Sequence, residues 1–378
     1  MPPDNIQIIP VKTGKTLKEF IKFPYRLYQE DPHWNPPLYL ERKEVLHPKK
    51  NPYYGHATVQ LYLAKKDGKT AGRLSAQIDQ EYEKFQGERV GHFGFFESIQ
   101  DPMVASALFQ EAETFFKSHR VSKVLGPYNF SSNEESGLLI DGFDQPLMTM
   151  MPYNPPYYAD LIEASGYSKT KDLYAWKYEV GEIPQGPLEM AESLRDYPGL
   201  TIRNINPKNF AADIHTLMDI YNSAWSENWG FVPVTSEEAK KVAKDLKMIL
   251  DPKIAFIAEL DGEPAAMCVS IPNIYELIRG LKGRLFPAGF LKLWWRIRKK
   301  KYRSCRLMMF GIKKEFLGGG LGGLSILLYV HMHRYAQQQA YQYGELSWTL
   351  EDNHPVNAGI EFMGGRRYKT YRVYQKNL

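Results

Sequence analysis

The chain has 378 residues, 43% hydrophobic and 24% charged, with a formal net charge of +5. That length accommodates two domains with sizeable cores, and the composition excludes a globally disordered chain. Two cysteines, Cys268 and Cys305, exclude a disulfide framework, and no apolar run reaches the roughly 20 residues of a membrane-spanning helix.

The first residues, MPPDNIQIIP, lack a basic region followed by an apolar stretch, so no signal peptide is expected and a cytoplasmic protein is. Residues 6–11 have strand character and lead into amphipathic helical patterning. Residues 59–78 read as two apolar strands joined at Asp67-Gly68. Asp-Gly between apolar runs is a hairpin signal, because both residues tolerate positive φ. Residues 92–98 form a further strand, and Ile99-Gln100-Asp101-Pro102 alone separates it from a helix near Val104. The acidic run from Asn133 to Asp144 reads as a turn with solvated carboxylates. Residues 157–180 read as a helix, a glycine break and an aromatic-rich strand.

The same order then returns. A strand at 200–205 is followed by helical patterning, a hairpin at 254–272 around Asp261-Gly262, and a final helix, glycine break and strand over 355–376. Matching features lie roughly 195 residues apart, the signature of a duplicated unit. The expected fold is α+β with two domains, 1–183 and 198–378, each a mixed, mostly antiparallel sheet flanked by helices. Proline and glycine interrupt the pattern between them.

The second unit carries an insertion at 274–303. From Glu276 to Arg306 there are eleven basic side chains and one acid, interleaved with Leu277, Phe286, Phe290, Trp294 and Trp295. Large apolar groups and cations in one segment suit a helix lying on anionic lipid, each cation contributing on the order of 1 kcal/mol. A helix packed on its own domain and a nucleic-acid site are the alternatives. The rest of the chain is net acidic, whereas nucleic-acid binders spread positive charge over a face, so no nucleic acid is expected.

After a strand at 306–312 come Gly318, Gly319, Gly320, Leu321, Gly322 and Gly323, then a helix pattern over 324–342. A glycine turn between strand and helix leaves backbone N–H groups pointing outward at the positive end of a helix dipole, which suits a diphosphate. Side chains there would block the close approach. No Gly-Lys-Ser/Thr follows, and no acidic residue stands about 20 positions on in a βαβ unit, so the P-loop and the dinucleotide fingerprint both fail. His331 and His333 diverge on a helix and make no metal pair.

The segment Glu315 to Gly322, with the helix behind it, resembles the GNAT acyltransferase superfamily. The resemblance implies that backbone amides of Gly318 to Gly323 hold acetyl-CoA or a longer acyl-CoA, without a metal. It implies that Phe310, Gly311 and Ile312 run beside the thioester and supply an oxyanion donor, and that Asn353 and Asn357 meet the pantetheine arm. Leu317 replaces the usual Arg or Gln, and Phe362 lies near a position where relatives carry a proton-donating Tyr. Tyr368, Tyr371 and Tyr374 are nearby candidates for that acid, with Tyr371 chosen. For the base, Glu227 is chosen within 221–231, where Trp225, Asn228 and Trp229 line a substrate cleft. The first half lacks the glycine loop and reads as a degenerate unit that shapes that cleft.

Gly126-Pro127, Asn133-Glu134-Glu135-Ser136-Gly137 and Gly364-Gly365-Arg366-Arg367-Tyr368 are similar to a bacterial group of tandem GNAT proteins that includes ceramide synthases. The resemblance implies acyl transfer to a small-molecule or lipid-like amine, with the enzyme peripheral on the inner face of the membrane. Two alternatives stay open. One is a non-catalytic CoA- or membrane-binding tandem GNAT protein, and the other a tRNA-dependent aminoacyl transferase of the peptidoglycan-bridge type.

Overall fold

The computed structural model describes residues 5–247, 249–318, 321–339 and 341–378. The first half contributes β1 (Ile6–Pro10), β2 (Ala57–Lys66), β3 (Lys69–Asp79), β4 (Val90–Ser98) and β5 (Lys123–Gly126). Three short strands follow, β6 (Tyr128–Asn129), β7 (Glu135–Ser136) and β8 (Leu138–Asp141), and β9 (Ser168–Glu179) closes the half. The second half contributes β10 (Leu200–Asn204), β11 (Ala255–Leu260), β12 (Glu263–Pro272), β13 (Ser304–Ile312), β14 (Tyr343–Leu350) and β15 (Arg366–Asn377). Both hairpins turn at Asp-Gly with positive φ, 50° and 75° at Asp67-Gly68 and 50° and 84° at Asp261-Gly262.

All the long strands join one mixed, mostly antiparallel sheet in the order β1-β2-β3-β4-β5-β15-β9-β14-β13-β12-β11-β10, with β8 also on β15. The pairs β4–β5 and β13–β14 are parallel. The closing strands are exchanged. β15, from the end of the chain, lies between β5 and β9, while β9 lies between β15 and β14. Each end of β9 stands 198 positions before its counterpart in β15, 168 against 366 and 179 against 377. Duplicated strands thus pair with each other across a pseudo-two-fold axis, burying Leu173, Ala175, Trp176, Tyr371, Val373 and Tyr374.

Two long helices cover corresponding positions. Pro102–Ser118 buries Val104, Ala105, Leu108, Phe109, Ala112 and Phe116, a spacing of three and four that keeps one face on the sheet. Asp101 caps it through Met103 N, and Pro102 occupies the first turn. Its counterpart, Leu324–Gln338, begins at Gly323 with no side-chain cap. It stops short of the expected end because Tyr341 N turns back to Ala336 O.

The 274–303 insertion folds as helices Ile274–Ile278 and Gly289–Arg298. Leu277, Ile278 and Leu281 are buried, and Asn35 Nδ2 donates to Tyr275 O (2.6 Å) while Tyr39 N donates to Gly283 O (2.9 Å). These bonds hold the insertion against the first half. Phe286, Phe290, Leu291, Trp294 and Trp295 remain 47% to 71% exposed. Among the described residues, no helix is long and apolar enough to cross a membrane.

Candidate active site

β13 and β14 pair only from Ser304–Tyr343 to Leu307–Leu346. Beyond that point β13 stays with β12 and β14 stays with β9, each through a register shift, at Val269/Ser270 and at Leu346/Thr349. The two strands therefore part, leaving a wedge with Met308 to Ile312 on one side and Ser347 to Leu350 on the other. A backbone edge without a partner strand can bind an extended, amide-containing arm as a further strand. Phe310 stacks on Tyr329 of the Leu324–Gln338 helix, with centroids 4.5 Å apart. At Gly311 a Cβ would lie 2.8 Å from Ala224 Cβ, so the glycine is there to let the Phe210–Trp225 helix approach.

The wide end of the wedge meets the glycine turn. Gly318 has φ +122°, which favours glycine, and Leu321 is buried in the core beneath the turn. A Cβ at Gly322 would touch nothing within 4 Å, whereas at Gly323 it would lie 2.9 Å from Leu194 Cδ1 and from Met190 Cγ. Gly323 is thus a packing glycine, while Gly322 faces open space. Gly319 and Gly320 lie outside the described residues.

Of the two asparagines, Asn353 caps the His354–Phe362 helix through Val356 N (3.4 Å). Asn357 donates to Leu350 O (3.0 Å), and its buried Oδ1 has no partner. A buried amide oxygen left open at the end of β14 is the kind of group that accepts from a ligand N–H.

The remaining expected residues are placed differently. Glu227 has a side chain 83% exposed and pairs with Lys314 (2.7 Å), a surface ion pair rather than an enclosed base. Trp225 donates its indole N–H to Phe310 O (2.9 Å), which fixes it at the wedge. Trp229 lies near Lys171, and Asn228 N closes a turn onto Trp225 O (2.8 Å). Tyr371 is 1% exposed between Gly137 and Leu173, and burial pushes its phenol well above the ordinary range.

At the vertex the structure instead assembles a polar cluster of which sequence reasoning had named only Tyr368. Glu345, fully buried, accepts from Ser347 Oγ (2.7 Å), from Tyr368 OH and from Lys369 Nζ (3.5 Å). Arg306 lies beside it and donates to Ser347 Oγ (3.0 Å) and to the carbonyls of Thr149 (2.9 Å) and Met150 (3.1 Å). Burial pulls both Lys369 and Arg306 below their ordinary ranges, with Glu345 opposing.

No protein-family model matches the chain. A bacterial ceramide synthase from Caulobacter vibrioides (strain NA1000 / CB15N) is 41% identical over 378 residues, covering 99% of this chain and 98% of that protein. The chain belongs to the bacterial ceramide synthase family. Protein YghO of Escherichia coli (strain K12) is also 41% identical, over 366 residues, covering 96% of this chain and 93% of its own length. Among solved structures, a tandem GNAT protein from the clavulanic acid biosynthesis pathway superposes with a TM-score of 0.57 at 13% identity, covering 99% of this chain and 98% of that one. A GCN5-related N-acetyltransferase from Sphaerobacter thermophilus gives 0.51 at 12% identity, covering 100% and 97%. The fold is that of tandem GNAT proteins, and the family is one of acyltransferases.

One further feature of this family member departs from the sequence reading. The 133–135 turn is half-buried rather than fully solvated. Asn133 accepts from Tyr221 OH (2.7 Å) and donates to Val232 O (3.0 Å), so it is clamped to the second half. Tyr221 in turn packs on Trp225, centroids 4.9 Å apart, which ties the turn to the wedge. Burial, then the charge of Glu135, pushes Glu134 up to about 7. Burial acts on Glu135 too, but Arg42 and Asn129 outweigh it and hold that carboxyl low. Two adjacent carboxyls with separated pKa values can divide acid and base roles at neutral pH. Among the described residues no group of three or more His, Cys, Asp or Glu could hold a metal.

Proposed function

We propose that the chain transfers the acyl group of an acyl-CoA to the amine of a lipid-like acceptor at the cytoplasmic face of a membrane. The observation that carries this is the wedge between β13 and β14 opening onto a glycine turn whose helix start has no side-chain cap. The diphosphate sits on the amides around Gly322, where the dipole favours negative charge and no Cβ intervenes. The pantetheine arm lies along Met309 to Ile312, with Asn357 Oδ1 accepting one of its amide protons. The thioester then reaches the vertex at Leu307 and Leu346.

The acceptor ammonium gives one proton to a base. Its nitrogen attacks the thioester carbonyl, the C–N bond forms as the C–S bond breaks, and the second nitrogen proton ends on the thiolate sulfur. Glu134, poised near neutrality and tied to the wedge through Asn133, Tyr221 and Trp225, suits the base better than Glu227. Tyr368, linked to the vertex through Glu345, suits the proton path better than Tyr371.

Two observations favour a lipid-like amine. The Caulobacter relative is named for making ceramide, the amide of a long-chain base. The insertion also sets exposed Trp294 and Trp295 among cations, the arrangement that binds an anionic membrane surface. The test is to supply acyl-CoAs of several lengths with a long-chain amine and follow thiol release and amide formation by mass spectrometry. Donor binding without thiol release favours the non-catalytic alternative. A requirement for charged tRNA favours aminoacyl transfer.

A further inference from the structure

Under the closed part of the β13–β14 pair lies an apolar cavity of about 40 Å³. Leu307 and Leu346 stand at its sheet side, Tyr329, Met332 and Ala336 of the Leu324–Gln338 helix form its roof, and Met363 closes one flank. The polar groups in its wall are spent. His333 is held by Tyr178 OH (2.6 Å) and Gly181 O (2.9 Å), and burial lowers its pKa so that it stays neutral. Burial raises the Cys305 thiol to about 12, so it stays protonated. Ser270 and Glu345 complete the lining, and the Glu345 carboxylate is taken up by Ser347, Tyr368 and Lys369. A mostly apolar cavity whose polar neighbours are already partnered holds apolar guests in preference to water.

Its position matters as much as its chemistry. The helix that starts at the glycine turn roofs the cavity with its second half. From Gly323 to Met332 and Ala336 the helix advances about 14 to 20 Å at 1.5 Å per residue. A pantetheine arm running back along β13 from the turn to the vertex has a comparable reach, and the cavity continues that line beyond the vertex. Tyr329 belongs to both, stacking on Phe310 in the wedge and lining the cavity.

We infer that this cavity receives the fatty acyl chain of the donor, and that its lining sets which chain lengths are used. This rests on the acyl-transfer reading above. The volume fits the carbons next to the thioester, at roughly 10–15 Å³ per water-sized sphere. Met332 and Met363, unbranched and adaptable, are the side chains that yield to longer chains.

Gly344 provides the test. It lines the cavity, and a Cβ there would meet only Cys305, at 3.7 and 3.8 Å, so a side chain fits without displacing the sheet. Gly344→Val narrows the cavity and Met332→Ala widens it. Both are compared with the full-length wild type by kcat/KM for acetyl-, octanoyl- and palmitoyl-CoA with one amine, alongside thermal melts. Gly344→Val is expected to lower the palmitoyl-to-acetyl ratio at least about 10-fold, the scale of discrimination by a hydrophobic pocket. Met332→Ala is expected to shift preference toward the longer donors. A wild type active with palmitoyl-CoA, together with folded variants that keep its chain-length ratios, overturns the cavity's role and leaves acyl transfer standing. So does a wild type that uses acetyl-CoA alone. A wild type that releases thiol from no donor overturns the acyl-transfer reading and this inference together.

Discussion

Alanine at Gly322 and alanine at Gly323 add the same methyl group one residue apart, with opposite expected effects. At Gly322 the new Cβ points into open space, with nothing within 4 Å, and the backbone lies outside the left-handed region. The fold should be unharmed or gain about 0.4–1 kcal/mol from a less flexible unfolded chain. In the proposed complex, however, that methyl occupies the approach of the diphosphate. Losing one hydrogen bond to a charged group costs about 1.5–3 kcal/mol, or roughly 10- to 150-fold in Kd. At Gly323 the Cβ would stand 2.9 Å from Leu194 Cδ1 and Met190 Cγ, against a carbon–carbon optimum of about 3.5–4.0 Å. The Gln185–Arg195 and Leu324–Gln338 helices must separate, at a cost of about 1–3 kcal/mol, or about 1–4 °C in Tm for a chain of this length. Thermal melting and isothermal titration with CoA measure both quantities. Gly322→Ala should melt with the wild type and bind CoA weakly, while Gly323→Ala should melt earlier. A Gly322→Ala protein that binds CoA as tightly as the wild type refutes the placement of the diphosphate.

Other outcomes follow from particular groups. Burial opposes charging of His56, but Asp79 (3.0 Å) and Glu238 (3.2 Å) outweigh it and raise its pKa from 6.5 to about 10. Its stabilisation is therefore complete below about pH 6.5 and lost as pH rises toward 10, so wild-type Tm should fall over that window more steeply than that of His56→Gln; parallel curves would contradict it. Glu134, raised to about 7, should give kcat/KM an ascending limb centred there. Glu134→Gln should remove that limb and slow the reaction by about 10²–10⁴-fold, and a limb that survives the substitution excludes Glu134 as the base. Replacing Trp294 and Trp295 by Ser should abolish flotation with anionic vesicles at any salt, whereas Lys299→Gln with Lys301→Gln should weaken it chiefly at low salt. A wild type that ignores anionic vesicles rules the membrane surface out.

What could be read from the sequence was what local residues decide. Asp-Gly between apolar runs announces a hairpin because the turn's φ values are a property of two residues. The glycine turn was visible for the same reason. The vertex cluster was not, because Arg306, Glu345 and Lys369 lie in three different strands and only parallel pairing and strand exchange bring them together. The available signal was a lone charge inside a largely buried strand, as in YGELSWTL, since a buried charge needs a partner. Glu134 misled in the opposite direction. Six polar residues in a row, Ser131 to Ser136, suggest solvent, but Arg42 and the Val232 carbonyl, distant in sequence, bind that turn.

Strand exchange sets a limit on how the duplicated units behave apart. Residues 198–378 alone would lack β9 beside β14 and would lack β5, β8 and β9 beside β15. Leu173, Ala175 and Trp176 leave with β9, and Tyr371, Val373 and Tyr374 lose their cover. At about 1.5–3 kcal/mol for each large side chain, the loss is on the order of 10 kcal/mol, comparable with the whole stability of a domain. Because β15 is the duplicate of β9, one remedy is open to the fragment: β15 of a second copy can pair with β14 where β9 belongs. The fragment should therefore be insoluble or a strand-exchanged dimer, and co-expression with 1–183 should restore a one-to-one complex. Size-exclusion chromatography with light scattering distinguishes these species. A cooperatively melting monomer of 198–378 would mean that the exchanged pairing is dispensable to the fold.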